Sequence, residues 1–180
     1  KESLSFDFLK GRLFNRLKRI EHESLIKKAI GKNKAKLKIF DATAGSLIDT
    51  IIFLKLGHKV VACEQSKILI KLLKDAIERA KEEYSFFKNL VLINEDAANV
   101  IELHQDSDIF YFDPMFNNTK RNIKRSGTLN KISNILSHEK LEDTSEDIFN
   151  YMLTSNYKKI IVKRPIKSKP LQEKINYQVK

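Results

Sequence analysis

Apolar positions fall into two spacings along the chain. Short runs at 37–40, 59–63, 90–93, 108–112 and 159–163 are bounded by charged or turn residues and read as buried strands. Between them the spacing widens to three and four. Residues 46–56 read as a helix stopped by Gly57. Ser66 reads as the N-cap of a long helix reaching Glu83, with Ile68, Leu69, Leu72, Leu73, Ala76 and Ala80 on one face. Shorter helices are predicted at 25–30, ended by Gly31, at 98–103 and at 145–153. Residues 32–36 read as a polar link. Residues 117–131, with five basic side chains, no acid and weak periodicity, read as a loop. Residues 175–179 read as a last strand.

Strands alternating with helices predict an α/β fold with a mostly parallel sheet. Such sheets bind ligands outside the carboxyl ends of their strands. The positions to weigh are therefore Asp41, Glu64, Asp96, Asp113 and Lys163, each at a predicted strand end.

Composition narrows the class. A length of 180 residues suits one domain, and 42% apolar content excludes wholesale disorder. The single cysteine, Cys63, excludes an internal disulfide framework and a Cys-based zinc site, and its place inside a predicted strand makes it a core residue. His22, His58, His104 and His138 show no ligand spacing, so no metal is expected. No apolar run approaches the ~20 residues a membrane helix needs. The chain opens at Lys1 without a signal-peptide pattern, so a cytoplasmic setting is the expectation.

The net charge of +11 is uneven. Residues 1–40 hold 12 basic and 4 acidic side chains, residues 41–113 hold 8 and 13, and residues 114–180 hold 14 and 6. Basic flanks around an acidic middle suit a polyanionic partner, because lysine and arginine attract phosphates by field and counterion release.

The strand ends carry the chemistry. Asp41-Ala42-Thr43-Ala44-Gly45 lets backbone pass close to a ligand at the start of a helix. Neither G-x-G-x-x-G nor G-K-[ST] is present, which weakens dinucleotide and P-loop readings. Glu64, an acid ending the second strand, can accept both hydroxyls of a ribose. Asp96-Ala97 can take an adenine amino group and pack its ring. Asp113-Pro114-Met115-Phe116 is the sharpest signal: a carboxylate and a carbonyl can accept both hydrogens of an exocyclic amine, and an aromatic beyond the proline can stack on the base.

Asp41–Gly45, Glu64 and Asp113–Phe116, in this order, resemble class I S-adenosylmethionine-dependent methyltransferases that act on amino nitrogens. Tyr111-Phe112-Asp113-Pro114-Met115-Phe116, Asp41–Gly45 with Asp49, and Val162-Lys163-Arg164-Pro165 resemble the RsmJ-type family, bacterial small-subunit ribosomal RNA guanine-N2 methyltransferases. The likeness runs from about Phe6 to Lys180. It implies a Rossmann-like class I sheet with helices on both faces, in which the final hairpin is expected to be incomplete. Residues 1–35 would form a basic N-terminal segment, its helix packed on the domain, and 36–180 the methyltransferase domain.

S-adenosyl-L-methionine is the implied cofactor, bound by Asp41, Ala42, Thr43, Gly45, Asp49, Glu64, Gln65, Asp96 and Ala97. Asp113, Pro114 and Phe116 are the implied catalytic residues. Arg16, Lys18, Arg19, Lys120, Arg121, Lys124, Arg125, Lys163 and Arg164 are the implied contacts to small-subunit ribosomal RNA or the 30S particle. The family has a second glycine where this chain has Leu47, so crowding of the cofactor loop is expected there. Two other readings use the same residues: a DNA amino-methyltransferase, and a non-catalytic RNA-binding protein derived from this fold.

Overall fold

Five strands form where the short apolar runs place them, in a computed structural model that describes residues 4–31, 35–114, 127–155, 157–165, 168, 171–173 and 175–179. They are β1 Lys38–Asp41, β2 Lys59–Cys63, β3 Leu90–Ile93, β4 Ile109–Phe112 and β5 Ile160–Val162. Their order is β3-β2-β1-β4-β5, and every pairing is parallel.

The helices are α1 Gly11–Lys18, α2 Ser24–Ile30, α3 Ile48–Lys55, α4 Lys67–Ala80, α5 Ala97–Val100, α6 Gly127–Glu139 and α7 Ser145–Thr154. Alternate strand residues point to opposite faces. Ile39, Val60, Ala62, Ile109 and Tyr111 pack with side chains of α1, α2, α3, α4 and α6. Phe40, Val61, Cys63, Phe110 and Phe112 pack with α5, Ile101 and α7. Because both faces are covered, the strands read as unbroken apolar runs rather than as alternation.

The segment before β1 shares the first of these cores through Phe6, Phe8, Leu13, Leu17 and Ile30. Two long side chains tie it down. Arg79 Nη2 donates to the Phe6 carbonyl at 2.6 Å. Lys159 Nζ donates to the Ile30 carbonyl at 2.6 Å and the Ala29 carbonyl at 3.3 Å, satisfying the last turn of α2.

Four expectations change. Helix α1 forms in a part of the basic N-terminal segment where no helix is predicted, because just Leu13 and Leu17 of its eight residues are buried. Helix α4 keeps its Ser66 N-cap, whose Oγ accepts the Leu69 N–H at 3.0 Å, but ends at Ala80 rather than Glu83. Residues 127–131, read as loop, begin α6, whose one fully buried side chain is Ile132; that explains the weak periodicity. Residues 175–179 form no strand and are mostly exposed, with Tyr177 71% accessible.

Candidate functional site

β1 leads into α3 toward β2, whereas β4 leads on toward β5, so the sheet order reverses between β1 and β4. The crevice at such a switch point is where open α/β sheets hold ligands. Asp41 ends β1 there, its carboxylate wholly buried. Oδ1 accepts the Thr43 N–H at 3.0 Å, and Oδ2 accepts the Thr50 hydroxyl from α3. Thr43 Oγ1 accepts the Asp113 N–H at 2.7 Å, tying the turn after β1 to the turn after β4.

The turn continues through Gly45, whose φ of +52° lies in the left-handed region that favours glycine. The Gly45 N–H donates to Glu64 Oε2 at 3.0 Å, and the Ser66 N–H donates to Oε1 at 2.8 Å. Each Glu64 oxygen keeps a second lone pair for a ligand hydroxyl. Burial pushes the Asp41 and Glu64 carboxyls up to about 7, against the pull of these hydrogen bonds.

Leu47 also has positive φ, +61°, and is fully buried. Its side chain joins the core cluster with Ile39, Ile51 and Phe53, so the expected crowding of the loop becomes core packing. Two effects compete at this position. A left-handed conformation costs an L-residue ~1–2 kcal/mol, whereas truncating a buried leucine costs ~2–5 kcal/mol. Leu47→Gly is therefore expected to destabilise the protein by a net ~1–3 kcal/mol, read as a lower urea midpoint with unchanged slope.

Beside the crevice, Lys163 Nζ lies 2.6 Å from Asp49 Oδ2 and 2.8 Å from Asp113 Oδ2. The Tyr111 hydroxyl donates to the same Asp49 oxygen at 2.6 Å. Burial and the flanking carboxylates hold the Tyr111 phenol above its ordinary pKa, keeping it a protonated donor. Burial raises Asp113, and the Lys163 ammonium pulls it back. Lys163, expected at an RNA phosphate, has its ammonium on two carboxylates instead.

On the β2–β3 side, Asp96 Oδ1 caps α5 through the Ala98 N–H and also accepts the Thr144 hydroxyl, both at 2.9 Å. Glu139 accepts from the Ser66 hydroxyl and, at 3.1 Å, from the Ile68 N–H. Gln65 Nε2 reaches the Glu142 carbonyl at 3.5 Å. The link from α6 to α7 thus passes over Gln65 and Asp96. Glu139 and Thr144 carry no motif in the sequence, and Tyr111, which opens the motif ending at Phe116, gives no sign there of its bond to Asp49.

Among the expected RNA contacts, Arg16 forms a two-pronged pair with Glu23, Nε to Oε1 at 2.7 Å and Nη2 to Oε2 at 2.8 Å. Lys18 is exposed and sits over the Phe14 ring, 4.3 Å from its centroid, and Arg19 is exposed. Arg164 Nε donates to Ser168 Oγ at 3.0 Å. Phe116, Lys120, Arg121, Lys124 and Arg125 lie outside the described residues. Burial pushes the Cys63 thiol up to about 12, which makes it an inert core residue. Among the described residues no group of three or more His, Cys, Asp or Glu could hold a metal, and no helix is long and apolar enough to cross a membrane.

The strand ends present acceptors for a ligand that carries hydroxyls and positive charge. Three strand ends offer carboxylates, Asp41, Glu64 and Asp96, around a turn of small residues. Asp41 and Glu64 are buried and Asp96 is half-buried, and carboxylates accept from hydroxyl and cationic donors.

Comparison with known proteins agrees with this chemistry. A family model described as "Putative SAM-dependent methyltransferase" matches residues 1–180. A relative named Ribosomal RNA small subunit methyltransferase J, from Francisella tularensis subsp. novicida, is 30% identical over 179 residues, covering 96% of this chain and 73% of its own. A protein of the same name from Bdellovibrio bacteriovorus is 29% identical over 175 residues, covering 95% and 68%. The crystal structure of a SAM-dependent methyltransferase from Neisseria gonorrhoeae matches with a TM-score of 0.55 at 26% identity. That match covers 77% of this chain, which spans 58% of the solved one.

Proposed function

We propose that this chain, which belongs to the SAM-dependent methyltransferase family, transfers a methyl group to the exocyclic amine of a guanine in small-subunit ribosomal RNA. Membership gives the reaction class and the cofactor, S-adenosyl-L-methionine. The names of the two relatives support small-subunit ribosomal RNA as substrate. The observation that supports the amine as target is the position of Asp113-Pro114 beside the turn after β1, held by the 2.7 Å bond from the Asp113 N–H to Thr43 Oγ1.

The cofactor supplies a methyl group already activated on a sulfonium, so the protein's task is mainly to position the reactants. Asp41, Ala42, Thr43 and Gly45, with Asp49, would line the methionine side. Glu64 and Gln65 would take the ribose hydroxyls, and Asp96 with Ala97 the adenine. A guanine amino lone pair is delocalised into the ring and is a poor nucleophile. Accepting its two hydrogens at the Asp113 carboxylate and the Pro114 carbonyl favours a tetrahedral nitrogen and stabilises the positive charge that develops there. Asp113 then takes the proton the nitrogen sheds.

Phe116 would hold the base by stacking, worth ~1–3 kcal/mol. A paired target must also be flipped out, at a few kcal/mol. Lys18, Arg19, Lys120, Arg121, Lys124, Arg125 and Arg164, with the Glu23-paired Arg16, would contact the backbone. Such a substrate puts the reaction in the cytoplasm.

The test is tritium transfer from labelled cofactor to small ribosomal subunits lacking the modification, followed by nucleoside analysis. N2-methylguanosine as the labelled product is the expected result. Label on another nucleoside would overturn the guanine assignment, and a cofactor-binding protein that labels no ribosomal RNA would overturn the substrate.

A further inference from the structure

Lys163 follows β5, and its own N–H donates to the Phe112 carbonyl at 2.9 Å. That bond extends the β4–β5 ladder by one residue and fixes where the lysine stem begins. From there the ammonium meets two carboxylates that come from separate elements. Asp49 stands in the first turn of α3, and Asp113 follows β4. Asp49 is itself held by the Tyr111 hydroxyl, whose ring packs edge-on against Phe53 with centroids 4.9 Å apart. Three elements therefore converge on one ammonium group.

We propose that Lys163 is a positioning residue, not a phosphate contact: its ammonium clamps Oδ2 of Asp113 against Asp49 and leaves Oδ1 to accept the target amine. The proposal rests on the amine-methylating role argued above for Asp113. Two carboxylates sharing one site disfavour each other's charge, and a cation between them relieves this. The other charged groups do not replace it. Asp41, held up to about 7 by burial, adds only negative charge when it ionises, and the protonated Tyr111 gives Asp49 a hydrogen bond but no charge. The positive field of Arg16 reaches Asp49, but its guanidinium is bonded to Glu23.

Lys163 is half exposed, with 53% of its side chain accessible. The carboxylates it meets are more enclosed, Asp49 11% and Asp113 33% accessible, so removing the ammonium would leave two largely buried acids facing each other. What Lys163 controls is the orientation and charge of Asp113. Lys163 itself stays an ammonium, because its two carboxylates outweigh the effect of burial. It cannot serve as the base.

The decisive measurement is the titration of the Asp113 side-chain carboxyl by carbon-13 NMR in the full chain without substrate. Wild type is compared with Lys163→Met and Lys163→Arg, and Asp113→Asn assigns the signal. An opposite charge within 4–6 Å lowers a carboxyl pKa by ~1–3, so the Met variant should raise the Asp113 midpoint by at least about one pH unit and Arg should restore it. Lys163→Gln repeats the test if the Met variant folds poorly. In methyl transfer the acid limb of kcat should move up by the same amount, with KM for RNA unchanged.

An unmoved midpoint overturns the proposal. So does a Met variant whose RNA affinity falls with a salt slope smaller by ~1, the signature of a lost phosphate contact. The midpoint is read without RNA, so failure of the substrate assignment leaves it standing and is seen separately in the wild-type tritium assay.

Discussion

Asp113→Ala is expected to lower methyl transfer by ~10²–10³-fold, the usual cost of removing one preorganised group that stabilises charge at the reacting atom. By the rate equation that loss is ~3–4 kcal/mol of transition-state stabilisation. It should fall on kcat more than on KM, because the contact strengthens as positive charge grows on the nitrogen. The backbone limits the damage elsewhere. The bond to Thr43 Oγ1 uses the Asp113 N–H, which the substitution keeps, so the turn after β1 stays tied to the turn after β4. Lys163 retains Asp49 as a partner. Calorimetry with the demethylated cofactor should therefore give an affinity within about threefold of wild type, under 1 kcal/mol. A variant that still turns over at near wild-type rate would remove Asp113 from the chemistry. One that loses cofactor binding as well would make it a structural part of the cofactor loop.

The sheet was legible because both its faces are covered. Phe40 and Ile39, or Phe110 and Ile109, belong to opposite cores yet read as one apolar run. The strand-end acids were legible for a related reason: a parallel sheet sends every strand's carboxyl end to one edge, so the sequence position of Asp41, Glu64, Asp96 and Asp113 already places them together. Helix α1 was hidden because a helix that buries two leucines among arginines and lysines has too narrow an apolar stripe to separate from a basic linker. The role of Lys163 was hidden for a different reason. Its two carboxylate partners are 50 and 114 residues away in sequence, so the pairing exists only once β5 lies beside β4 and α3 turns toward it. Taken locally, Lys163-Arg164 is a pair of cations. Leu47 shows the converse error, since a residue standing where a family has glycine need not enter the ligand's space. Here the backbone adopts the left-handed turn anyway, and the side chain goes into the core.

Without cofactor, the protein is expected to lose stability as pH rises from about 5 to 8, because Asp41 and Glu64 are both held near 7 in the fold. Their ordinary values are 3.8 and 4.5, so between those values and 7 the folded state binds more protons than the unfolded chain. Stability then falls with pH, and the contribution is complete only below the unfolded values. A tenfold difference in proton affinity between the folded and unfolded states is worth ~1.4 kcal/mol, which makes the loss on the order of 3 kcal/mol per carboxyl across the window. Urea unfolding at pH 5, 6.5 and 8 should show the decline, and Asp41→Asn, which carries no charge at any pH, should remove about half of it, leaving the part due to Glu64. The same proton linkage reaches the cofactor. A sulfonium ligand with ribose hydroxyls favours the ionised carboxylates, so binding should lower both pKa values and release protons near pH 6.5. Affinity should therefore rise with pH over the range in which the ligand-free fold weakens. Calorimetry in two buffers of different ionisation enthalpy measures the released protons directly. Proton uptake, or an affinity independent of pH, would mean that these two buried acids face the protein's own backbone and not the ligand.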